Sequence, residues 1–338
     1  MALATSYTNF EDNRDLFDPL HRMEEETVFC ERFERLSSFH LIFHVSCIIL
    51  LTLQFSIFIG LLAYQPKSPY VAALLFSCIL TLFSYLILLF YYQAKKPQDF
   101  LDLRRYFVQA CRKEIETYRP NQDEHLFLAK AAESLTGKLG KTQFYLNKHG
   151  SIYSFIRLLR FKDIEKMQEL LMYAAIQEHI EKIKKDPLDP QTHFSLAKSY
   201  LGMYRLYQSP LQESFSRFWI VKRIIQTDKR VKRVEASLLL AMEELKIGLS
   251  SNPEEPWALL ELANCYAELN QKAQELEILK KLYTIATVDE ELLLRIGKIN
   301  FQLGLISEGL EIFSKLKVMN VHLSFELLDS YNAYLKKI

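Results

Sequence analysis

The sequence predicts an all-α protein in which a transmembrane helical hairpin is followed by an α-solenoid. Three observations predict it. Residues 36–94 contain a single charged residue, Lys67, in a stretch of 59. Gly and Pro number only 9 and 10, and no Pro occurs from 121 to 186 or after 256, which favours helices over a β-rich fold. After residue 121, short motifs recur at multiples of about 34 residues.

Two uncharged runs are long enough to cross a bilayer as helices. Residues 39–64 and 70–93 number 26 and 24, and measure about 39 Å and about 36 Å at 1.5 Å per residue. The link 65–69 contains two prolines and Lys67, so one helix ends and the next begins within it. The two runs are therefore predicted to form a tight hairpin. Buried core helices are disfavoured, because no core helix needs two such runs in succession. A cleavable signal peptide is also disfavoured, because the first run starts at residue 39, is longer than the usual apolar part of a signal peptide and lacks a small-x-small cleavage site.

Cations flank the hairpin on its outer ends. Those nearest to the two runs are Arg22, Arg32, Arg35, Lys95, Lys96, Arg104 and Arg105. The positive-inside bias therefore places both termini in the cytoplasm and leaves only the link 65–69 on the far side.

The segments outside the hairpin differ in charge. Residues 1–35 hold nine acids and four bases, whereas the whole chain holds 42 Lys and Arg against 41 Asp and Glu. We expect four parts: an acidic cytosolic segment (1–38), the hairpin (39–93), a helical region with degenerate repeats (94–189) and better repeats (190–338). An insertion is expected at about 205–233. The near-neutral total gives no indication of a nucleic-acid-binding protein.

A repeated motif sets a small residue between a large apolar residue and a later aromatic one. The best copies are LAKSY at 196–200 and LANCY at 262–266, and weaker copies are LAKAA at 128–132 and IGKIN at 296–300. Their small positions, 129, 197, 263 and 297, are separated by close to multiples of about 34 residues. We expect the packing between repeats to depend on Leu196, Ala197, Tyr200, Leu262, Ala263, Tyr266, Gly297 and Phe313. Small residues are expected where two helices cross closely, and Ala258 lies outside this phase.

The flanks of the motif agree with the period. Pro-x-x-Pro at 187–190 and at 253–256 precedes the two best copies by the same distance. This pattern resembles the tetratricopeptide-repeat family over roughly residues 121–338, with good repeats at about 256–289 and 290–323. Thr287 and Asn300 depart from the family pattern, which has Pro and an aromatic residue there. An unspecific helical bundle is the alternative. The resemblance implies stacked helix pairs whose concave face binds a protein segment.

The insertion carries a run of cations with aromatic neighbours. They are Arg217, Lys222, Arg223, Lys229, Arg230, Lys232 and Arg233, against the single acid Asp228. Such a run is most often a solvated helix face. Contact with anionic lipid or an acidic protein is the alternative, and nucleic acid is less favoured.

No residues form a recognisable catalytic or metal-binding constellation. Residues 140–142 read GKT, but Leu135 stands where a phosphate-binding loop needs its first glycine. His40 and His44 share a helix face without further ligands nearby, so interfacial histidines are favoured over a metal site. The five cysteines lack a CxxC spacing, which favours a reduced compartment. We therefore expect no enzyme and no cofactor.

These features predict a membrane-anchored interaction scaffold that binds a protein partner through its cytosolic repeats. The hydropathy of residues 39–93 also resembles that of chlamydial inclusion-membrane proteins. That resemblance implies an alternative, a secreted protein of an intracellular bacterium that displays its helical domain to the host cytosol. The membrane is expected to be a bacterial inner membrane, or a host-derived inclusion membrane if the alternative holds.

Overall fold

The computed structural model describes residues 19–64, 69–118, 123–145, 151–208, 228–285 and 289–335, which form helices and connecting turns without a strand. The all-α fold class predicted from the sequence is therefore confirmed for these residues. The helices are α1 Pro19–Tyr64, α2 Pro69–Tyr118, α3 Glu124–Tyr145, α4 Ser151–Lys185, α5 Pro190–Gln208, α6 Asp228–Ser251, α7 Pro256–Glu268, α8 Lys272–Ile285, α9 Glu290–Gln302, α10 Ile306–Met319 and α11 Val321–Leu335.

The chain divides inside α4 into two compact units. We call Asp18–Ala175 the hairpin unit and Ile176–Ile338 the solenoid unit. In the hairpin unit, α1 and α2 have 46 and 50 residues, about 69 Å and about 75 Å at the helical rise. By length and composition, both helices could cross a membrane. The most apolar stretch of each helix is not buried within the protein.

Contacts between α1 and α2 continue beyond the apolar runs. The ring centroids are 5.6 Å apart in the pair Phe39 and Tyr92, 5.9 Å in Phe33 and Phe100, and 5.5 Å in Phe29 and Phe107. Phe29 and Phe33 are buried. Residues 94–118 continue α2 without interruption, and the region of degenerate repeats expected at 94–189 stays a prediction.

Several polar groups within the apolar runs form hydrogen bonds inside the hairpin, whereas the side-chain oxygen of Gln54 has no partner. Gln54 donates its side-chain amide to Ser77 Oγ at 3.4 Å, and His44 Nδ1 lies 3.2 Å from the hydroxyl of Tyr85. Thr52, Ser56 and Thr81 each donate to a carbonyl of their own helix at 2.8 Å. The side chain of His40 lies outside the described residues.

Helices α3 and α4 complete the hairpin unit. Ser134 and Lys138 of α3 donate to the carboxylate of Glu26 on α1. Asp163 of α4 accepts from Lys96 Nζ at 2.6 Å and from Ser37 Oγ at 3.2 Å. A carboxylate with both partners is satisfied despite its burial.

The solenoid unit is built from helix pairs at a constant spacing. Helices α7 and α9 begin at 256 and 290, and α8 and α10 begin at 272 and 306. Both offsets equal one repeat of the predicted length, about 34 residues. Helix α5 begins at 190, close to two repeat lengths before α7, and packs on α6 despite the insertion between them. The predicted period is therefore present in the helix boundaries.

The turns inside two of these pairs have the same hydrogen bonds. Asn270, with φ 55°, and Gly304, with φ 77°, are the left-handed residues of the turns and are separated by one repeat length. Asn and Gly are the residues that adopt this conformation most readily. The backbone bonds are Leu269 N to Cys265 O, Asn270 N to Ala267 O and Gln271 N to Tyr266 O, then Leu303 N to Ile299 O, Gly304 N to Phe301 O and Leu305 N to Asn300 O. Each bond of the first turn recurs at the equivalent position of the next repeat, so the two turns are equivalent.

Small residues lie where neighbouring helices approach most closely. A Cβ atom added to Gly297 would lie 2.7 Å from a methyl carbon of Leu327, and one added to Gly309 would lie 2.4 Å from the ring of Phe301. A Cβ atom added to Gly248 would likewise lie 2.4 Å from the ring of Phe194. A side chain at these positions would push the helices apart.

The residues expected to pack between repeats lie in or beside the core. Leu196, Ala197, Leu262, Ala263 and Gly297 are buried, and Tyr200, Tyr266 and Phe313 are half-buried. The sequence phase is wrong about Ala258, which is as fully buried as Ala263, at 0% exposure. Helix α7 packs against both α6 and α8. More than one side of α7 is therefore buried, and small residues outside the predicted crossing point lie in the core as well.

We predict that Ala263→Leu and Ala258→Leu each lower the free energy of unfolding by about 1–3 kcal/mol, because both overpack a filled core. Ala267→Leu is the matched control, since Ala267 lies on the same helix and is exposed. Urea unfolding followed by circular dichroism measures all three. A loss at Ala267 equal to that at Ala263 would contradict the assigned packing.

Candidate functional site: a polar face on the solenoid

On the first helix of each solenoid pair, the same three positions of the repeat are accessible to solvent. On α5, α7 and α9 these positions are spaced i, i+4, i+7, which places them on one side of each helix. We call them the ladder face: Gln191, Ser195, Lys198, Trp257, Glu261, Asn264, Glu291, Arg295 and Lys298, all half-buried or exposed. Eight of the nine are polar, so this side of the helices offers hydrogen bonds and charges.

Side-chain pairs join each first helix to the next. Arg205 of α5 lies 3.4 Å from Glu261 of α7. Arg295 of α9 donates to Asn264 of α7 at 2.7 Å, and Lys298 of α9 lies 2.6 Å from Glu326 of α11. The order α5, α7, α9, α11 therefore gives neighbouring helices in space, and the ladder face is continuous.

Arg295 forms the most buried of these links. Its guanidinium also bonds the carboxylate of Glu275 on α8, at 2.8 Å from Nε and 2.7 Å from Nη2. The Glu275 side chain is 7% exposed and that of Arg295 is 23% exposed. A buried carboxylate requires such a partner, because an unpaired charge away from water is strongly unfavourable. Arg295 therefore holds α7, α8 and α9 together and belongs to the ladder face at the same time.

His193, near the start of α5, contacts both α6 and the linker that precedes α5. Its Nδ1 lies 2.7 Å from a carboxylate oxygen of Glu244 and its Nε2 lies 3.0 Å from the carbonyl oxygen of Pro187. Both partners accept hydrogen bonds, so the ring fills both contacts when each nitrogen carries a proton. The contact ties the first Pro-x-x-Pro linker to the helix pair that follows it.

Two titratable side chains in the solenoid core, Cys265 and Tyr204, are held in their neutral forms. Burial, followed by the nearby Glu261, raises the pKa of the Cys265 thiol to about 12. Burial and, next, a hydrogen bond with Glu268 raise the pKa of the Tyr204 hydroxyl well above its usual value. Neither group offers a reactive anion near neutral pH. Within the described ranges, no group of three or more His, Cys, Asp or Glu could hold a metal ion.

The predicted basic segment is only partly within the described residues. Arg217, Lys222 and Arg223 lie outside them, and Lys229 lies in the first turn of α6. Arg230 Nε donates to the carbonyl of Tyr207 at 2.7 Å, and the Arg233 guanidinium lies 5.8 Å from the centre of the Tyr207 ring. Lys232 is exposed. Two of these cations therefore join α6 to α5, and the binding of anionic lipid or an acidic partner stays a prediction.

Asn300 stands where an aromatic residue is expected for the family, and it is 1% exposed. Its side-chain oxygen has no hydrogen-bond partner. An unpaired buried oxygen weakens the fold at this position. The turn that joins α9 to α10 is nevertheless formed, because the backbone carbonyl of Asn300 accepts a hydrogen bond from Leu305 N. Thr287, the other departure, lies outside the described residues.

The sequence motif pointed to the core and missed the ladder face. Lys198, Asn264 and Lys298 each follow directly after the small residue of a motif copy. Glu261 and Arg295 occupy equivalent positions of successive repeats. This recurrence of polar residues at one phase is a signal that could have identified the face. The pairing of Arg295 with Glu275 has no such signal, because it depends on how neighbouring repeats are rotated.

Solved structures that are similar to the chain include two tetratricopeptide-repeat proteins. One is a thermophilic tetratricopeptide-repeat protein of Thermus thermophilus, with a TM-score of 0.33 and 16% identity, covering 70% of this chain and 92% of that one. The other is a tetratricopeptide-repeat protein from Parabacteroides merdae, with a TM-score of 0.25 and 15% identity, covering 70% and 96%. With TM-scores this low, the fold rests on the regular spacing of the chain's own helices.

No protein-family model and no curated protein matches the chain. The resemblance to chlamydial inclusion-membrane proteins is tested by neither structural match and stays a prediction.

We predict that Arg295→Met lowers the free energy of unfolding by about 3 kcal/mol, because it leaves the Glu275 carboxylate buried without its partner. The double variant with Glu275→Leu should recover most of the loss, since no charge then remains buried. Lys298→Met, on the same helix but in a more exposed pair, is the control and should change stability little. If Arg295→Met were as mild as the control, the buried link would not support the repeats.

Proposed function

We propose that the protein is a membrane-anchored scaffold that binds a segment of a partner protein along the ladder face. The observation that carries the proposal is the combination of two features in one chain. Two long helices leave their most apolar stretches unburied, and a stack of helix pairs presents a continuous polar face. The first suits a bilayer and the second suits a polypeptide.

The anchor is the hairpin formed by residues 39–64 and 70–93. Its outward-facing residues are large and apolar, including Ile42 at 63% exposure and Phe76 at 67%. Exposing so much apolar surface to water is unfavourable, and monomeric soluble proteins rarely do it. Burial in lipid removes this surface from water, with both termini and the solenoid unit on the cytoplasmic side.

The partner is proposed to be a polypeptide with both polar and charged groups. The ladder face contains Lys198 and Lys298 as cations and Glu261 and Glu291 as anions, so it does not select a partner by net charge alone. Hydrogen bonds at fixed spacing along the stack favour an extended or helical segment that runs across several repeats. The role is one of binding and not of catalysis.

Photo-crosslinking in native membranes tests the proposal. A photoreactive residue is placed in the full-length protein at Lys198 or at Glu291 on the ladder face. Glu243 of α6 and Lys281 of α8, both exposed on second helices, are the matched control positions. We expect one and the same partner band from both ladder positions and none from the controls. A partner captured only at the control positions, or equally at all four, would contradict the assignment.

A further inference from the structure

Helix α11 leaves an apolar side open to solvent. Val321, Phe325 and Leu335 are 56%, 62% and 48% exposed, and Leu328 is half-buried. Helix α11 packs on α9 and α10, and these two helices leave this side uncovered. The outer repeat of a solenoid usually has a polar outer face, which keeps the protein soluble. An apolar outer face is therefore an indication of an interaction surface.

The open side of α11 corresponds to a side that α9 buries. Leu328 and Leu335 occupy the positions of Leu294 and Phe301, one repeat of about 34 residues earlier. Leu294 and Phe301 are 8% and 2% exposed, and the ring of Phe301 lies 4.8 Å from that of Tyr331 on α11, between centroids. In α9 these positions therefore serve the contact between one repeat and the next, and the open side of α11 continues that interface.

The same side has the spacing of a coiled-coil seam. Val321, Phe325, Leu328, Asn332 and Leu335 follow one another at intervals of four, three, four and three residues. This is the period of about 3.5 residues that keeps one side of a helix against a partner helix. None of the five is charged, so two copies of the seam can meet without repulsion between like charges. A second copy of the chain therefore fits this side.

Asn332 determines how two copies of the seam can pair. In a parallel pair in register, each seam residue meets its own counterpart, so the two Asn332 amides meet and hydrogen-bond each other. In an antiparallel pair that overlaps along the whole helix, the amide lies opposite an apolar residue. Burying an amide without a hydrogen-bond partner is unfavourable, so the parallel pair is favoured.

We propose that two copies of the protein pair through the open side of α11, parallel and in register. The contact is isologous, because each copy contributes the same side of the same helix. A second copy is favoured over a different protein because the one polar position of the seam, Asn332, is satisfied by its own counterpart. The proposal depends on neither the membrane anchor nor the ladder face.

Photo-crosslinking between two tagged copies tests the pairing in the full-length protein. A photoreactive residue replaces Val321 or Phe325 in one copy, and a second copy with a different tag is co-expressed. Leu239 of α6, which is 44% exposed, is the control position. We expect a product with both tags from Val321 and Phe325, and several-fold less of it from Leu239. Equal yields at the three positions, or no product with both tags from α11, would overturn the proposal.

Charges at position 332 test the parallel register. With the photoreactive residue at Phe325, two copies with Asn332→Asp should crosslink several-fold less than two unchanged copies, because like charges then meet. Two copies with Asn332→Lys should behave in the same way. One copy of each variant should recover the crosslinking, because opposite charges meet, and recovery also shows that both variants fold. A mixed pair that crosslinks no better than the like pairs would overturn the parallel pairing.

Discussion

The close approach of neighbouring helices is the constraint on which the solenoid depends. Gly309 meets the Phe301 ring and Gly297 meets Leu327 at distances that leave no room for a side chain. The helices of the last two full pairs begin at a constant interval, and the turns at Asn270 and Gly304 adopt the same left-handed conformation. The polar positions beside the small residues then face the same way in every repeat, and the ladder face results.

The hairpin unit is organised by a different constraint. Its two long helices stay in register through aromatic pairs that pass from the apolar runs into the charged ends, as in Phe39 with Tyr92 and Phe33 with Phe100. The same end of the hairpin binds Asp163 of α4 through Lys96 and Ser37. The outward-facing apolar runs and the ionic contact at one end agree with the proposed membrane anchor.

Local patterns in the sequence were enough to predict the all-α fold, the two apolar helices and the repeat period. The period could be found because small residues are needed at each crossing, so Ala197, Ala263 and Gly297 are visible as a pattern. Burial of Ala258 could not be found in this way, because it depends on α7 being packed between two other helices. The pairing of Arg295 with Glu275 and that of Asp163 with Lys96 likewise depend on contacts between elements far apart in sequence.

The location of the link between the two apolar helices tests the central claim most directly. Reporter fusions at residue 5 and residue 338, and a reporter inserted within 65–69, distinguish the two sides of the membrane. A hairpin with cations at its outer ends predicts a cytoplasmic signal at both termini and a signal from the far side only within the link. A cytoplasmic signal from the link, or a far-side signal from either terminus, would contradict the membrane hairpin.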